Sequence, residues 1–173
     1  MKLRSLLPAC SVILSAAIVS AQIGVMPTKD LTLATAHDPK FSVGDVWEYQ
    51  TREGEERSRV TIVHVDVSPE LGVIVHVAVE GIKLANCNHG PEPDNVLHMP
   101  FARKAFEASV TKKDASDHAL PSGWQDGYDD WKRAYLEKKA GMYVISIADA
   151  VGVAEKTFQH GNGCDEATTA SRR

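Results

Sequence analysis

Two runs rich in β-branched residues, residues 59–67 and 73–83, constrain this chain more than any other feature. They are separated by Ser68-Pro69-Glu70-Leu71-Gly72, a segment of turn formers. Side chains alternate across a strand with a period of two, and Val, Ile and Thr suit its pleated surface. Proline and glycine between two such runs predict an antiparallel hairpin. Its register follows from the pattern. Thr61, Val63, Val65 and Val67 share one face, as do Val73, Val75, Val77 and Val79. Cross-strand partners lie on the same face of a sheet, so the valine rows must meet. The shortest loop that allows this sets Val67 opposite Val73 and His64 opposite His76. Asp66 and Glu80 then fall on the histidine face, beside Ile62, Ile74 and Ala78. The valine face is the expected core.

The same alternation marks residues 43–51 as a strand, with Trp47 and Tyr49 on the valine face and Glu48 with the histidines. Residues 86–95 are crowded with turn formers and read as a loop. Residues 96–99 suit a short strand. Pro100 fits a first helical position, and Phe101, Ala105 and Phe106 continue the helical spacing to residue 111. A loop over 112–127 leads to a second helix over 126–139, with Tyr128, Trp131 and Tyr135 on one stripe. Residues 142–145 suit a short strand. Ser146-Ile147-Ala148-Asp149 resembles a capping box and opens a last helix ending near Phe158. Strands come first and helices after, which predicts an α+β fold. The expected architecture is an antiparallel β-meander of three to five strands, with about three helices packed on one face.

The N-terminus carries an address. Lys2 and Arg4 precede an apolar stretch from Leu6 to Val19, and Val19-Ser20-Ala21 supplies small residues for cleavage before Gln22. This is the pattern of a secretory signal peptide. The stretch is too short for about 30 Å of hydrocarbon, and Pro8, Ser11 and Ser15 interrupt it. Leu7-Pro8-Ala9-Cys10 is not a lipoprotein box, because most apolar residues follow Cys10 rather than precede it. The expected organisation is a signal peptide over 1–21, a flexible lead-in over 22–40, a single α+β domain over 41–158 and a polar tail over 159–173. Order is expected to begin at Phe41.

Composition narrows the function classes. With 19 basic against 23 acidic residues, the chain has no electrostatic footprint for nucleic acid. No run of eighteen apolar residues suits a multi-pass membrane protein, and no stable membrane insertion is expected after cleavage. A 43% hydrophobic content is enough for a core.

Cys87 and Cys164 remain after Cys10 leaves. In an oxidising compartment two cysteines favour a disulfide. Unpaired thiols are one alternative. Another is zinc, held by Cys87, His89, His160 and Cys164, although the C-x-H spacing is atypical.

Motifs with a known mechanism are absent, including G-x-S-x-G, H-E-x-x-H, the P-loop, C-x-x-C and the EF-hand loop. The histidine pair is what remains. Opposed imidazoles have β-carbons about 4.5–5.5 Å apart, close enough to share a metal with Glu48, Asp66 or Glu80. The plainer reading has both rings packing on a partly exposed face, where two nearby histidines make a pH-sensitive surface. His98, at the expected helix start, could meet an anion or serve as an acid–base group, but no nucleophile can be assigned to it. Trp124, Tyr128 and Trp131 are core at helical spacing, or else line a ligand groove. The candidate binding residues are therefore His64, His76, Glu48 and His98. No catalytic residue, metal ligand set or cofactor is assigned.

Phe41-x-x-Gly44-Asp45-Val46-Trp47-x-Tyr49-x-Thr51-Arg52, Gly72-x-Ile74-Val75-His76-Val77 and His98-x-Pro100-Phe101 together resemble a group of small exported bacterial proteins. The resemblance covers about residues 41–158. It implies an envelope location and carries over no activity and no catalytic residue. The expected function is an exported, periplasmic or secreted, non-enzymatic module. It would bind an unknown protein or small ligand through the open sheet face or the loop after Lys83. The alternatives are a metal-dependent or His-assisted hydrolase centred on His64 and His76, and an envelope immunity or inhibitor protein.

Overall fold

The computed structural model describes residues 32–87 and 90–164. The signal segment, His89 and the end of the tail lie outside them. Among the described residues the elements are β1 (Ala34–Thr35), β2 (Val46–Tyr49), β3 (Arg59–Ser68), β4 (Gly72–Glu80), β5 (Asn95–Ala102), α1 (Arg103–Ser109), β6 (Val110–Ala115), α2 (Trp124–Leu136) and α3 (Ile147–Gly161). The strands form one antiparallel sheet in the order β5-β4-β3-β2-β6, and β1 pairs with the far end of β3. The fold is α+β, built on a meander.

The hairpin register is the one its pattern dictates at the turn: Val67 lies opposite Val73 and His64 opposite His76. Pairing continues to Ser68 and Gly72, and Gly72 adopts a positive φ of 72° that favours glycine. Further along, the strict alternation fails. Between the Ile62–Val77 and His64–His76 pairs, β3 carries one residue more than β4, a bulge at Val63. An extra residue exchanges faces for everything beyond it. Val60 and Ile62 therefore join Val65, Val75, Val77 and Val79 in the core, and Thr61 pairs with Ala78 away from it. Trp47 pairs with Val60 and enters the core with Tyr49, as expected.

The valine face is closed by α1 and α3, which contribute Phe106, Ile147, Ala150 and Val151 to a core containing Phe41, Met99 and Phe101. Burying each such phenylalanine stabilises the fold by roughly 1.5–3 kcal/mol. The helices do not all share this face. The hydroxyls of Tyr128 and Tyr135 on α2 reach Asp66 and Ser68, which alternate with Val65 and Val67, so α2 covers the histidine face. Fourteen residues, β6 and the loop after it, separate α1 from α2 and carry the chain from one face to the other.

Other boundaries differ from expectation. The fold includes part of the predicted lead-in: β1 extends the sheet, and buried Asp38 accepts a 2.6 Å bond from Arg103 Nε. Pro100 is not a helix start. It lies within β5, opposite His76, at the sheet edge where a missing N–H is tolerated. Part of the predicted 112–127 loop is β6, whose exposed, lysine-bearing residues pair with β2 and hide its strand character from a hydrophobic pattern. Residues 142–145 provide one bridge, Tyr143 to Phe101. Ser146 caps α3, accepting from Asp149 N at 3.1 Å. That helix runs past Phe158 to Gly161, into the predicted tail. Cys87 and Cys164 form a disulfide with Cα atoms 5.9 Å apart. Glu155 and Gln159 on α3 also bond the backbone of Ala85. No helix among the described residues is long and apolar enough to cross a membrane.

Candidate functional site

The histidine face is mixed, with Ile74 and Ala78 beside the polar groups, but it is not open. It is a buried polar cluster roofed by aromatic rings. Alternation places His64 and Asp66 side by side on β3, and pairing brings His76 opposite His64. Two residues of β5, Leu97 and His98, face one of β4, Ala78, between the Val77–Met99 and Val79–Val96 pairs. His98 thereby stacks on His76, with ring centroids 5.1 Å apart and planes at 18°.

The bonding forms a line. His76 Nδ1 lies 2.9 Å from His98 Nε2. On its other side His76 Nε2 is 3.3 Å from Asp66 Oδ2, close enough for charge attraction but without hydrogen-bond alignment. Asp66 Oδ2 accepts from the Tyr128 hydroxyl at 2.8 Å, and Asp66 Oδ1 is 3.2 Å from His64 Nε2. With His76 and His98 neutral, one proton arrangement satisfies the contact between their rings and leaves the remaining His76 N–H beside Asp66. His76 Nε2–H points at the carboxylate, and His98 Nε2–H donates to His76 Nδ1.

Burial and charge explain the protonation states. His76 is fully buried and Asp66 is 1% exposed, while the His64 side chain keeps 19% exposure. Burial opposes ionisation of Asp66, yet the imidazoles of His64 and His76 and the Tyr128 hydroxyl outweigh it and hold the carboxyl well below the usual range. Burial lowers His76, against the pull of Asp66. Burial, with the repulsion of His76 and His64, pushes His98 down to about 3. Burial and the neighbouring Asp66 charge raise Tyr128, so its hydroxyl stays protonated as a donor.

Helix α2 supplies the roof. Tyr128 meets His64 at 4.8 Å and His76 at 5.1 Å, both edge-on, and Trp131 meets His76 at 4.7 Å. Trp124 stacks over His64 at 6.1 Å. Gly127 makes the close approach possible, because a β-carbon there would lie 2.8 Å from His98 Cβ.

His64, His76 and His98 thus come together, but Glu48 does not join them. It ion-pairs with Arg59 and stands 4.0 Å from Lys112, at the opposite end of the sheet from the β3–β4 turn. Asp66 is the carboxylate at the histidines. Its position two residues from His64 places it on the same face, as the hairpin register predicts. Among the described residues no group of three or more His, Cys, Asp or Glu side chains is arranged to hold a metal ion. The nearby hydroxyls are engaged: Tyr128 with Asp66, and Ser68 with Tyr135 at 2.6 Å. His76 itself is shielded from solvent.

An accessible concavity lies at the rim of this cluster. Pro100, Trp131, Gly141, Met142 and Tyr143 line a groove of about 340 Å³ at the β5 edge. Trp131 Nε1 donates to the Gly141 carbonyl at 2.6 Å, and Tyr143 N to the Pro100 carbonyl at 2.8 Å, so the two walls are tied together. The aromatic stripe of α2 therefore divides its work: Tyr128 is core, and Trp131 serves both core and groove. Fold and site together define an α+β domain with a histidine-centred polar core and an aromatic groove beside it. Comparison with protein-family models, curated proteins and solved structures gives no match.

Proposed function

We propose that the chain is an exported, non-enzymatic binding protein, periplasmic or secreted, that holds a small apolar molecule carrying a flat ring. The observation that carries this reading is the groove at the β5 edge, lined by Trp131, Tyr143, Met142 and Pro100. Its volume lies at the lower end of the range for small-ligand sites, and its lining is apolar with backbone carbonyls at hand, as such sites require. Two flat aromatic walls favour a flat guest, which offers contact area and offset stacking. The export part of the reading is supported by Lys2, Arg4, the apolar stretch and the Val19-Ser20-Ala21 site, and by the Cys87–Cys164 pair, which suits an oxidising compartment. The envelope group resembled by the Gly44-Asp45-Val46-Trp47 segment fits the same address.

The test uses Nile red, an uncharged flat fluorophore, with the chain from Gln22 onward. Saturable binding is expected, weakened about tenfold by Met142→Asp, since a charge in an apolar pocket must be desolvated. Met142 makes no hydrogen bond to the rest of the fold, so the variant leaves the histidine cluster intact. Absence of saturation, or equal affinity in Met142→Asp, overturns the groove. Recovery of uncleaved Met1 from the cytosol overturns export.

A further inference from the structure

Trp131 belongs to the groove and to the histidine cluster at once. It lines the cavity, and its ring lies 4.7 Å from His76 and 6.1 Å from His98. Pro100, on the opposite wall, is the cross-strand partner of His76 and holds Tyr143 through its carbonyl. Three lining residues therefore rest, directly or through one bond, on the stacked imidazoles.

We propose that binding in this groove is gated by pH: protonation of both His76 and His98 displaces α2, and Trp131 with it, so that the groove releases its occupant in acid. This rests on the groove being the binding site. The groups facing the pair limit what it can tolerate. On β3 these are Asp66 and His64, the latter 3.4 Å from the Thr35 hydroxyl of β1. On α2 the facing group is the Tyr128 hydroxyl, with Lys132 Nζ 5.5 Å from its ring and Asp129 close enough to act on its ionisation. Among the described residues Asp66 is the acid in contact with the pair, through His76.

A first proton can be absorbed in place. His76 becomes a cation facing Asp66, its Nδ1–H donates to His98 Nε2, and His98 moves its own proton to Nδ1. A second proton has no such outlet. It sets two cations face to face at 5.1 Å, removes the acceptor between the rings, and finds no further carboxylate. The strands cannot separate without breaking the ladder. Helix α2, which touches His98 through Gly127, is the element able to move. The low pKa of His98 agrees with this order of events.

Linkage makes the coupling reciprocal, so an occupant that pins Trp131 must also make the histidines harder to protonate. The test compares Nile red affinity at about pH 7.5 and about pH 4.5, with far-UV circular dichroism followed alongside. The lower pH lies below the ordinary histidine value of about 6.5 but above the value of about 3 that the closed site imposes on His98, so that acid favours the displaced helix. A loss of about tenfold in acid is expected, with secondary structure retained, a coupling within the usual range. In His98→Gln, which cannot take the second proton, the ratio of the two affinities should approach one. Ring resonances of the unsubstituted chain give a second reading: Nile red should lower the titration midpoint of His76 or His98. Saturable binding that is equal at both pH values overturns the gate and leaves the groove standing, whereas no saturation at about pH 7.5 removes the groove itself. The gate also falls if His98→Gln keeps the full acid loss, if the midpoint does not move, or if release coincides with complete loss of helix.

Discussion

Gly127 and Gly152 are both helical glycines, and the same substitution should have opposite effects at the two. Alanine is favoured over glycine inside a helix by about 1 kcal/mol. At Gly152 a β-carbon meets nothing within 4 Å, so Gly152→Ala is expected to raise stability by about 0.5–1 kcal/mol. At Gly127 it would lie 2.8 Å from His98 Cβ, and α2 would have to lift off the sheet. Overpacking of this kind costs about 1–3 kcal/mol and outweighs the helical gain. Urea unfolding midpoints of the two variants check the signs; a stabilised Gly127→Ala would mean that α2 does not sit against His98. Neither role is legible from the sequence, where Gly152 weakens a helix and Gly127 falls where a loop passes into one. His64, His76 and Asp66 were legible, because hairpin pairing is local. His98 was a candidate as well, but its place beside His76 was not legible, since Pro100 reads as a helix start until β4 is there to pair with it.

At the scale of elements, α3 is the one whose start the sequence states most directly. Ser146 accepts from Asp149 N, and its hydroxyl donates to Asp149 Oδ2 at 2.7 Å. Ser146→Ala should cost about 1 kcal/mol, read from the thermal or urea midpoint, because it frees an orphan N–H in the first turn. No loss at all would mean the cap is idle. Strand β6 shows the limit of such local signals. Its lysines and Asp114 carry no apolar alternation, and only β2 alongside makes them a strand. The bulge at Val63 is a related case. Thr61 and Val63 fit the valine row on paper, but burying Ile62 and Val60 against Trp47 requires the extra residue.

For the whole molecule, the buried histidines predict acid lability. The folded state holds His76 and His98 below their ordinary values, so between the unfolded value of about 6.5 and the folded value the unfolded chain binds more protons. Stability is therefore complete above about pH 6.5 and falls as pH drops toward the folded value, which for His98 is about 3. Asp66, also depressed, acts in the same direction below about pH 4. Each group that stays deprotonated in the fold contributes a slope of up to about 1.4 kcal/mol per pH unit. Urea midpoints measured from about pH 7 to about pH 4 should decline, and less steeply in His98→Gln. A flat profile would show that the rings are not held neutral. The disulfide closes the fold at its other end, fastening the terminus of α3 beside the segment that follows β4.

By itself the sequence determined the fold class, the hairpin with its opposed histidines, the cap of α3 and the pair of cysteines able to join. Each rests on neighbours in the chain or on a period the chain carries within itself. Only the tertiary structure decided which face each helix covers, where the irregularities of β3 and β5 fall, and that α2 seals the histidines while leaving a groove at its edge. Those outcomes depend on how distant segments share one volume, and close packing between them has no local signature.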